Sequence, residues 1–317
     1  MMKKIAICGV WHVHAADYTN TAMKNAQVIG VWEEDKARRE QFCKELNLPA
    51  FDSFEALLAS DAEGVIVCSA TDAHADLMIR LAEAGKHIFT EKVLALSVKD
   101  CERIAEAVEK NHVNFVISLV QKYNPAPLTV KQVIDSGELG KINYVRFRNC
   151  HSGSVNNWLP KHFYDAKECG GGAMIDLGAH GMYLIDWILG TPVTAKSVFT
   201  NACSVEAANA LNTDRVEDNA VTVMGYTDGC IAVNETGFVS NHYPMSLEVG
   251  GEKGWVVFNN DGVTKTTDAT EGRPVSVPLC EALPTPLNQF LSGEILEGCG
   301  MKEAIGLTRL MEMAYCG

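Results

Sequence analysis

The stretch KKIAICGVWHVHAADYTNTAMKNAQVIGVWEE (residues 3–34) decides how the first part of the chain folds. The apolar run Ile5–Gly9 predicts a strand that ends in glycine, His14–Lys24 a helix, and Val28–Trp32 a second strand. Three further apolar strands alternate with helical segments up to about residue 120. Because these strands are apolar along their whole length, both faces of their sheet should be buried. The pattern predicts an α/β fold with a doubly wound parallel sheet.

Beyond residue 120 the pattern changes. Two helical segments come first, and short β-rich segments separated by turn signals such as Asp261-Gly262 follow them. This order predicts an α+β domain with an open, mostly antiparallel sheet that carries helices on one face. The sequence therefore predicts a first domain over residues 1–120 and a second over residues 121–317.

The overall composition narrows the possible functions. The chain has 317 residues, a net charge of −13 and no run of Lys and Arg longer than two, which argues against binding to nucleic acid. Its 11 cysteines form no CxxC pair, which is typical of reduced thiols in the cytoplasm. No apolar segment is long enough to span a membrane, and the N-terminus is a poor signal peptide. We expect a cytoplasmic protein without a membrane or nucleic-acid partner.

The first strand ends in a loop that could bind the pyrophosphate of a dinucleotide. Gly9 lies where the tight turn is needed, but Trp11 and His14 stand where the glycine-rich fingerprint would continue. The alternative is that Gly9 is an ordinary turn glycine. His12 and His14 could contact phosphate or cap the following helix. A metal-binding HxH pair needs a third ligand, which the local sequence does not offer, so no metal site is predicted.

An acidic residue ends the second strand. Glu33 follows Gly9 by 24 residues, close to the spacing of about 20 at which a carboxylate binds the adenosine ribose. Such a carboxylate accepts hydrogen bonds from both ribose hydroxyls and repels a 2′-phosphate, so it favours NAD over NADP. The alternative is a solvated residue at a helix start, and Glu34 and Asp35 compete for the role.

Two strings carry candidate catalytic groups. Glu91 and Lys92 follow the fourth strand, at the sheet edge where ligands bind, and a lysine there can stabilise a developing alkoxide. Asp176 and His180 are four residues apart, so on a helix they share a face, and a histidine is a suitable base for a hydroxyl proton. The alternatives are a surface ion pair for Lys92 and a helix salt bridge for the Asp–His pair.

Seven motifs in the same order resemble those of the Gfo/Idh/MocA family, the glucose-fructose oxidoreductase and inositol dehydrogenase group. They are the Gly9 loop, Glu33, VIVCSATDAH (Val65–His74), AGKHIFTEK (Ala84–Lys92), QKYNPA (residues 121–126), DSGELGKI (Asp135–Ile142) and GGGAMIDLGAHGMYLIDWILG (Gly170–Gly190). The resemblance covers nearly the whole chain.

The resemblance implies an N-terminal Rossmann domain, a C-terminal domain with an open sheet, and bound NAD or NADP. It also implies a homodimer or homotetramer built through the C-terminal sheet. By position, the family's catalytic residues are Lys92, Asp176 and His180, and Glu91 is the acidic residue near the nicotinamide. The cofactor-contacting loop after the third strand matches Ser69, Thr71 and His74.

This chain departs from the family pattern at the loop GVWHVH, where Trp11 or His12 could cover the cofactor, at EKV in place of EKP, and at Ala70 in place of proline. The segment before GGG borders the substrate pocket in this family. Aromatic and basic side chains there and after the fifth strand could stack on or hydrogen-bond a sugar ring, with core packing as the alternative. They are Lys122, Tyr123, Trp158, His162 and Tyr164.

The sequence thus predicts an NAD-dependent dehydrogenase or reductase, with NADP less favoured, that acts on a CH–OH or carbonyl carbon of a sugar or cyclitol. His180, oriented by Asp176, takes the hydroxyl proton, and Lys92 holds that oxygen. Two alternatives remain: an NAD-dependent glycoside hydrolase that oxidises its substrate transiently, and a non-catalytic dinucleotide or sugar sensor.

Overall fold

The computed structural model describes residues 2–201, 216–242 and 245–316. The chain forms two compact units, and each contains two stretches of sequence. The first consists of Met1–Ser118 and Pro284–Thr308, and the second of Leu119–Leu283 and Arg309–Gly317. Residues 284–308 therefore belong to the first unit, whereas the sequence pattern assigns everything after residue 120 to a second domain.

A five-stranded parallel sheet forms the centre of the first unit, with strand order β2-β1-β3-β4-β5. The strands are β1 (Lys4–Cys8), β2 (Gln27–Trp32), β3 (Gly64–Val67), β4 (His87–Thr90) and β5 (Phe115–Ile117). Every residue of β3 and β5 is buried, as expected for strands covered on both faces. The predicted doubly wound parallel sheet is confirmed.

The helices before residue 118 are α1 (Ala15–Asn25), α2 (Lys36–Leu46), α3 (Phe54–Leu58), α4 (His74–Glu83) and α5 (Val98–Lys110). Three helices of the first unit, α2, α3 and α5, begin at polar side chains that cap them. Asp35, Ser53 and Ser97 each accept a hydrogen bond from a backbone amide three residues further on.

The chain changes direction across the first sheet at β1. Strand β2 lies on one side of β1 and strand β3 on the other. In open α/β sheets, ligands bind outside the carboxyl ends of the strands at this switch point. The loop that begins at Gly9 and the residues that follow β3 from Cys68 onward therefore lie at the expected binding edge.

The second unit contains an eight-stranded sheet in the order β13-β12-β11-β10-β6-β9-β8-β7. All neighbouring pairs are antiparallel except β6 and β9. The strands are β6 (Ile142–Cys150), β7 (Thr194–Thr200), β8 (Asn219–Gly225), β9 (Ile231–Gly237), β10 (Ser246–Gly251), β11 (Gly254–Asn259), β12 (Gly262–Thr267) and β13 (Val275–Val277). The predicted open, mostly antiparallel sheet is confirmed.

The remaining helices follow Ser118. They are α6 (Pro125–Asp135), α7 (Ala166–Cys169), a π-helix (Met174–Gly178), α8 (Ala179–Leu189), α9 (Pro286–Ser292) and α10 (Met301–Cys316). In the part of the chain that the structure describes, no helix has the length and apolar character needed to cross a bilayer.

One face of the second sheet is packed and the other is open. Along β8, Ala220 and Met224 are buried while Val221 and Val223 are exposed, which is the alternation of a sheet covered on one side. Helix α8 contacts β6 and β9 on the packed face. We call the other side, to which Val221 and Val223 point, the open face.

Candidate functional site

Gly9 is the residue that the turn after β1 requires. Its φ of +82° lies in the left-handed region, and a Cβ placed on it would lie 2.5 Å from the backbone nitrogen and Cα of Ser69. The loop after β1 and the loop after β3 therefore touch backbone to backbone. Gly9 has the specific role that the fingerprint assigns to its first glycine.

The next three amides of this loop are already hydrogen-bonded within the first unit. Val10 N–H donates to a carboxylate oxygen of Glu33 at 2.8 Å, and the N–H groups of Trp11 and His12 both donate to the carbonyl of Cys68 at 3.0 Å. The side chains of Trp11 and His12 are buried. A pyrophosphate cannot bind these amides unless the hydrogen bonds break. The loop therefore differs from a glycine-rich loop whose amides are free to bind phosphate.

Glu33 is the acidic residue that the fold places at the end of β2. It is buried and accepts from Val10 N–H at 2.8 Å and Asp35 N–H at 3.1 Å, with Arg38 Nη1 at 3.5 Å. A carboxylate has about four acceptor positions, so one remains for a ribose hydroxyl. The two residues that compete with Glu33 for the ribose have other environments: Glu34 is exposed to solvent, and Asp35 caps α2.

The loop after β3 carries a buried hydroxyl that lacks a partner. Ser69 Oγ is hidden from solvent and has no hydrogen-bond partner among the described residues. Thr71 is half-buried and begins a short 3₁₀ helix. An orphaned buried hydroxyl beside Gly9 is expected where a ligand normally supplies the partner. Together with Glu33, these residues fit a dinucleotide at the switch point.

His74 holds this loop against the chain that follows β4. Its Nδ1 lies 3.0 Å from the carbonyl oxygen of Leu94 and 3.2 Å from that of Val93, and its Nε2 lies 3.2 Å from that of Ser69. Burial lowers the pKa of His74. Both ring nitrogens face the protein's own carbonyls. His74 therefore fixes the position of the loop after β3 by these contacts with the backbone.

Glu91 is the most enclosed charged group of the first unit. It is 2% exposed, and it accepts from Lys92 N–H at 2.9 Å and from Tyr18 Oη, with His14 Nδ1 at 2.8 Å. Burial raises the pKa of Glu91, but the nearby rings of His12 and His14 outweigh it and hold that pKa well below its usual range. Glu91 is therefore a carboxylate whose charge is balanced by the loop histidines.

Tyr18 is a site residue that the sequence reasoning missed. Its hydroxyl bridges Glu91 and Ser118, with 2.8 Å to Ser118 Oγ, and burial raises its pKa well above the usual range. The available signal was spacing, because Tyr18 follows His14 by four residues and shares its face of α1. His14 occupies the N-cap of α1 without a side-chain capping bond, so the capping alternative does not hold for His14. His12 Nδ1 accepts a hydrogen bond from His14 N–H at 3.2 Å, at the start of this helix.

Lys92 is 6% exposed, which removes the alternative of a surface ion-pair residue. It follows Glu91 directly after β4, and the peptide bond between Lys92 and Val93 is cis. A buried ammonium group needs hydrogen-bond or charge partners to replace water.

In the second unit, side chains of the sheet fix the GGG string. Asn234 Nδ2 donates to the carbonyl of Gly178 at 2.8 Å, and Thr236 Oγ1 donates to that of Ala173 at 3.1 Å. A Cβ on Gly181 would lie 2.0 Å from Asn234 Oδ1, so only glycine allows this close approach. The string therefore forms a π-helix that runs into α8 and is held against β9.

His180 lies on α8 and is 9% exposed. Its Nδ1 lies 2.8 Å from Tyr183 Oη, and Tyr183 Oη accepts a hydrogen bond from Gln121 N–H at 3.0 Å. A hydroxyl can donate or accept, so Tyr183 can pair with either tautomer of the imidazole. The sequence reasoning missed Tyr183, although it is three residues from His180 and so shares its helix face.

Asp176 lies on the π-helix and is half-buried. Its negative charge raises the pKa of His151, although burial has the larger effect and lowers that pKa overall. The ring of His151 stacks on Phe238 with centroids 4.8 Å apart and contacts Trp158 at 4.6 Å. His151 was not predicted from the sequence.

The predicted substrate residues divide by exposure. Trp158 is 53% exposed, with its indole N–H 3.3 Å from Ser152 Oγ, and His162 is half-buried. Tyr164 is buried, and its hydroxyl lies 2.7 Å from Ser154 Oγ, as the packing alternative expects.

The two predicted residues after β5 are both buried. Lys122 is 8% exposed with its ammonium 5.5 Å from the ring centroid of Trp187, and Tyr123 is 3% exposed.

Comparison with known proteins agrees with this geometry. Residues 3–118 match the family model of the oxidoreductase family with an NAD-binding Rossmann fold, and residues 128–257 match the GFO/IDH/MocA C-terminal domain. The chain belongs to the Gfo/Idh/MocA family of oxidoreductases, and its first unit is an NAD-binding Rossmann domain.

The curated relatives include cyclitol dehydrogenases. A scyllo-inositol 2-dehydrogenase (NAD(+)) of Bacillus subtilis is 30% identical over 179 residues, which is 56% of this chain and 50% of that protein. A myo-inositol 2-dehydrogenase of Thermotoga maritima is 27% identical over 217 residues, 68% of this chain and 61% of that protein. The chain spans about half the length of the first of these relatives.

Among solved structures, the WlbA dehydrogenase of Bordetella pertussis, in complex with NADH and UDP-GlcNAcA, has a TM-score of 0.79. Its sequence is 17% identical, and the match covers 100% of this chain and 96% of that one. At this identity the likeness supports the fold alone.

Proposed function

We propose that this protein is an NAD-dependent oxidoreductase that transfers a hydride between nicotinamide and a CH–OH or carbonyl carbon of a cyclitol or sugar. The observation that carries the proposal is the buried imidazole of His180, held by Tyr183 on a helix of the family's C-terminal domain. The names of the inositol dehydrogenase relatives support the substrate class.

The first unit supplies the cofactor site. When bound, NAD accepts or donates the hydride at its nicotinamide ring. Gly9 leaves room for close backbone approach, Glu33 offers an acceptor to the adenosine ribose, and Ser69 offers a buried hydroxyl. We propose a preference for NAD over NADP, because the Glu33 carboxylate repels a 2′-phosphate.

The protein's own groups manage the proton. His180 takes the hydroxyl proton in the oxidation and returns it in the reduction. The Tyr183 hydroxyl stays hydrogen-bonded to His180 Nδ1 throughout, because it can donate to this nitrogen or accept from it. Asp176, on the π-helix that precedes α8, is the candidate residue that orients His180. Lys92 stabilises the negative charge that develops on the substrate oxygen.

For the substrate contact, Trp158 is the exposed candidate. An indole face packs against the C–H face of a sugar or cyclitol ring, and the neighbouring His151 offers a polar ring. His162 is a second candidate. We assign Tyr164 to packing, because its ring and hydroxyl are buried.

The test is a substrate screen with the full chain. The protein is incubated with NAD⁺ and a panel of inositols and sugars, and NADH formation is followed by absorbance. His180→Asn should lower kcat by about 10²–10⁴-fold and Lys92→Gln by about 10²–10³-fold. His112→Asn is the matched control, because His112 is exposed beyond the end of α5.

Two other outcomes identify the rival functions. Cleavage of a glycoside without net NADH formation would show a hydrolase. Binding of dinucleotide without turnover, unaffected by His180→Asn, would contradict the enzyme and favour a sensor, for which the engaged amides of Trp11 and His12 are the supporting feature.

We also propose a homodimer or homotetramer in the cytoplasm, assembled through the open face. Exposed apolar side chains form a row there, and Val198, Val223, Ile231 and Trp255 are 71%, 45%, 47% and 42% exposed. Such a patch marks an interaction surface. Val223→Glu should shift the mass measured by light scattering to that of a monomer, whereas an unchanged mass would contradict this interface.

Cytoplasmic location is supported by the free thiols of the described cysteines.

A further inference from the structure

We propose that His12, His14 and Glu91 form a binding site for a divalent transition-metal cation. Each residue offers one ligand atom, and these three atoms all lie within 4.8 Å of one another. The loop after β1 supplies the two imidazoles, and the end of β4 supplies the carboxylate. The third ligand that the sequence around the HxH pair lacks thus comes from the end of β4, which is two strands away from β1 in the sheet.

The separations of the ligand atoms would need to change by about 1.5 Å or less to fit an ion, since all three atoms lie within 4.8 Å of one another. Ligand atoms on a tetrahedral zinc ion with bonds of about 2.0–2.1 Å are about 3.3 Å apart. His14 Nδ1 and Glu91 Oε1 are 2.8 Å apart and would separate by about 0.5 Å to accept the ion between them. The rings of His12 and His14 are 4.7 Å apart at their centroids.

The donor set selects the class of ion. Two imidazole nitrogens and one carboxylate oxygen suit zinc, cobalt or iron(II), whereas magnesium and calcium prefer oxygen ligands alone. Three protein ligands leave at least one coordination position for water or another oxygen ligand, as in catalytic zinc sites.

The carboxylate is held in place before any ion arrives. Tyr18 Oη and Lys92 N–H both donate to Glu91, and only 2% of Glu91 is exposed. Outer hydrogen bonds of this kind orient a metal ligand. Imidazoles bind a metal ion in their neutral form, so a bound divalent cation would itself balance the charge of the buried carboxylate.

The test uses the full chain, stripped with a chelator and titrated with Co²⁺ in the absence of NAD. We expect about one Co²⁺ to bind per chain, with the visible absorption typical of a low-coordinate site. Added Zn²⁺ should displace the Co²⁺ and remove this absorption. His14→Gln, whose side chain is 44% exposed and so tolerates the change, should abolish the absorption. Tyr18→Phe, which removes a bond to the ligand Glu91, should weaken affinity about 10–100-fold.

The exposed His112→Asn variant is the control and should bind like the wild type. Circular dichroism of each variant separates lost binding from lost folding. Absence of stoichiometric binding by the wild-type chain would overturn the proposal, and so would undiminished binding by His14→Gln, which would locate the metal elsewhere. Because the titration contains no dinucleotide, its failure would leave the proposed dehydrogenase untouched.

Discussion

Gly172→Ala should disrupt the junction that holds the GGG string in the second unit. A Cβ on Gly172 would lie 1.9 Å from the backbone oxygen of Glu217 and 2.9 Å from its carbonyl carbon. Backbone atoms cannot turn aside as a flexible side chain can, so the two segments must separate by about 1.5 Å to restore ordinary contact.

Three hydrogen bonds cross this contact. Ala173 N–H donates to the Glu217 carbonyl at 2.9 Å, and Gly172 N–H and Met174 N–H donate to the Glu217 carboxylate at 3.0 and 2.9 Å. A separation of this size breaks them. At about 1 kcal/mol each, their loss lowers the free energy of unfolding by about 3 kcal/mol.

The assay is calorimetric unfolding of the full chain. For a unit of this size we expect the transition temperature of the second unit to fall by about 6–12 °C. Gly300→Ala is the control, because a Cβ there has only Glu303 Oε2 within reach, at 3.6 Å, and it should change stability by less than about 1 kcal/mol. Equal stability of Gly172→Ala and the wild type would refute the packing argument.

Three further changes test other parts of the account. Tyr183→Phe removes the hydroxyl at His180 Nδ1 and should lower kcat about tenfold, the value of one hydrogen bond. Tyr226→Phe should leave kcat unchanged, because the buried hydroxyl of Tyr226 has no partner in the described part of the chain; equal effects of the two would refute the role of Tyr183. Burial raises the pKa of Glu217, so the folded state binds this proton more tightly than the unfolded state. The resulting stabilisation is complete below about pH 4.3 and is lost as pH rises through the raised pKa, so stability relative to Glu217→Gln should fall over that window in urea unfolding, and a flat difference would contradict it.

Regular patterns made most of the fold predictable. The all-apolar strands of the first unit and the alternating strands of the second gave the correct sheet types, since burial on two faces or on one leaves different periods in the sequence. Strand β13 has only three residues, two of them exposed, and its sequence carries no such period. The return of residues 284–308 to the first unit also leaves no local mark, because it depends on contacts distant in sequence.

The sequence predicted residues of the candidate site only where the residue type and its position at a strand end pointed to one role. Glu33 and Gly9 follow from strand ends and spacing. The partnership of Tyr183 with His180 and that of Tyr18 with Glu91 depend on side-chain direction, which spacing permits but does not determine. The contact of Glu91 with the HxH pair depends on the β1–β3–β4 strand order, which no local pattern encodes.

The most direct test of the central claim is a titration of the full chain with NADH and with NADPH, read by quenching of tryptophan fluorescence. Trp11 and Trp32 lie in the first unit, and Trp11 lies in the loop after β1. We predict that NADH binds at least about tenfold more tightly than NADPH, and that Glu33→Ser reduces this preference, since Arg38 would then face the ribose without its carboxylate partner. Binding of neither nucleotide would contradict an NAD-dependent oxidoreductase.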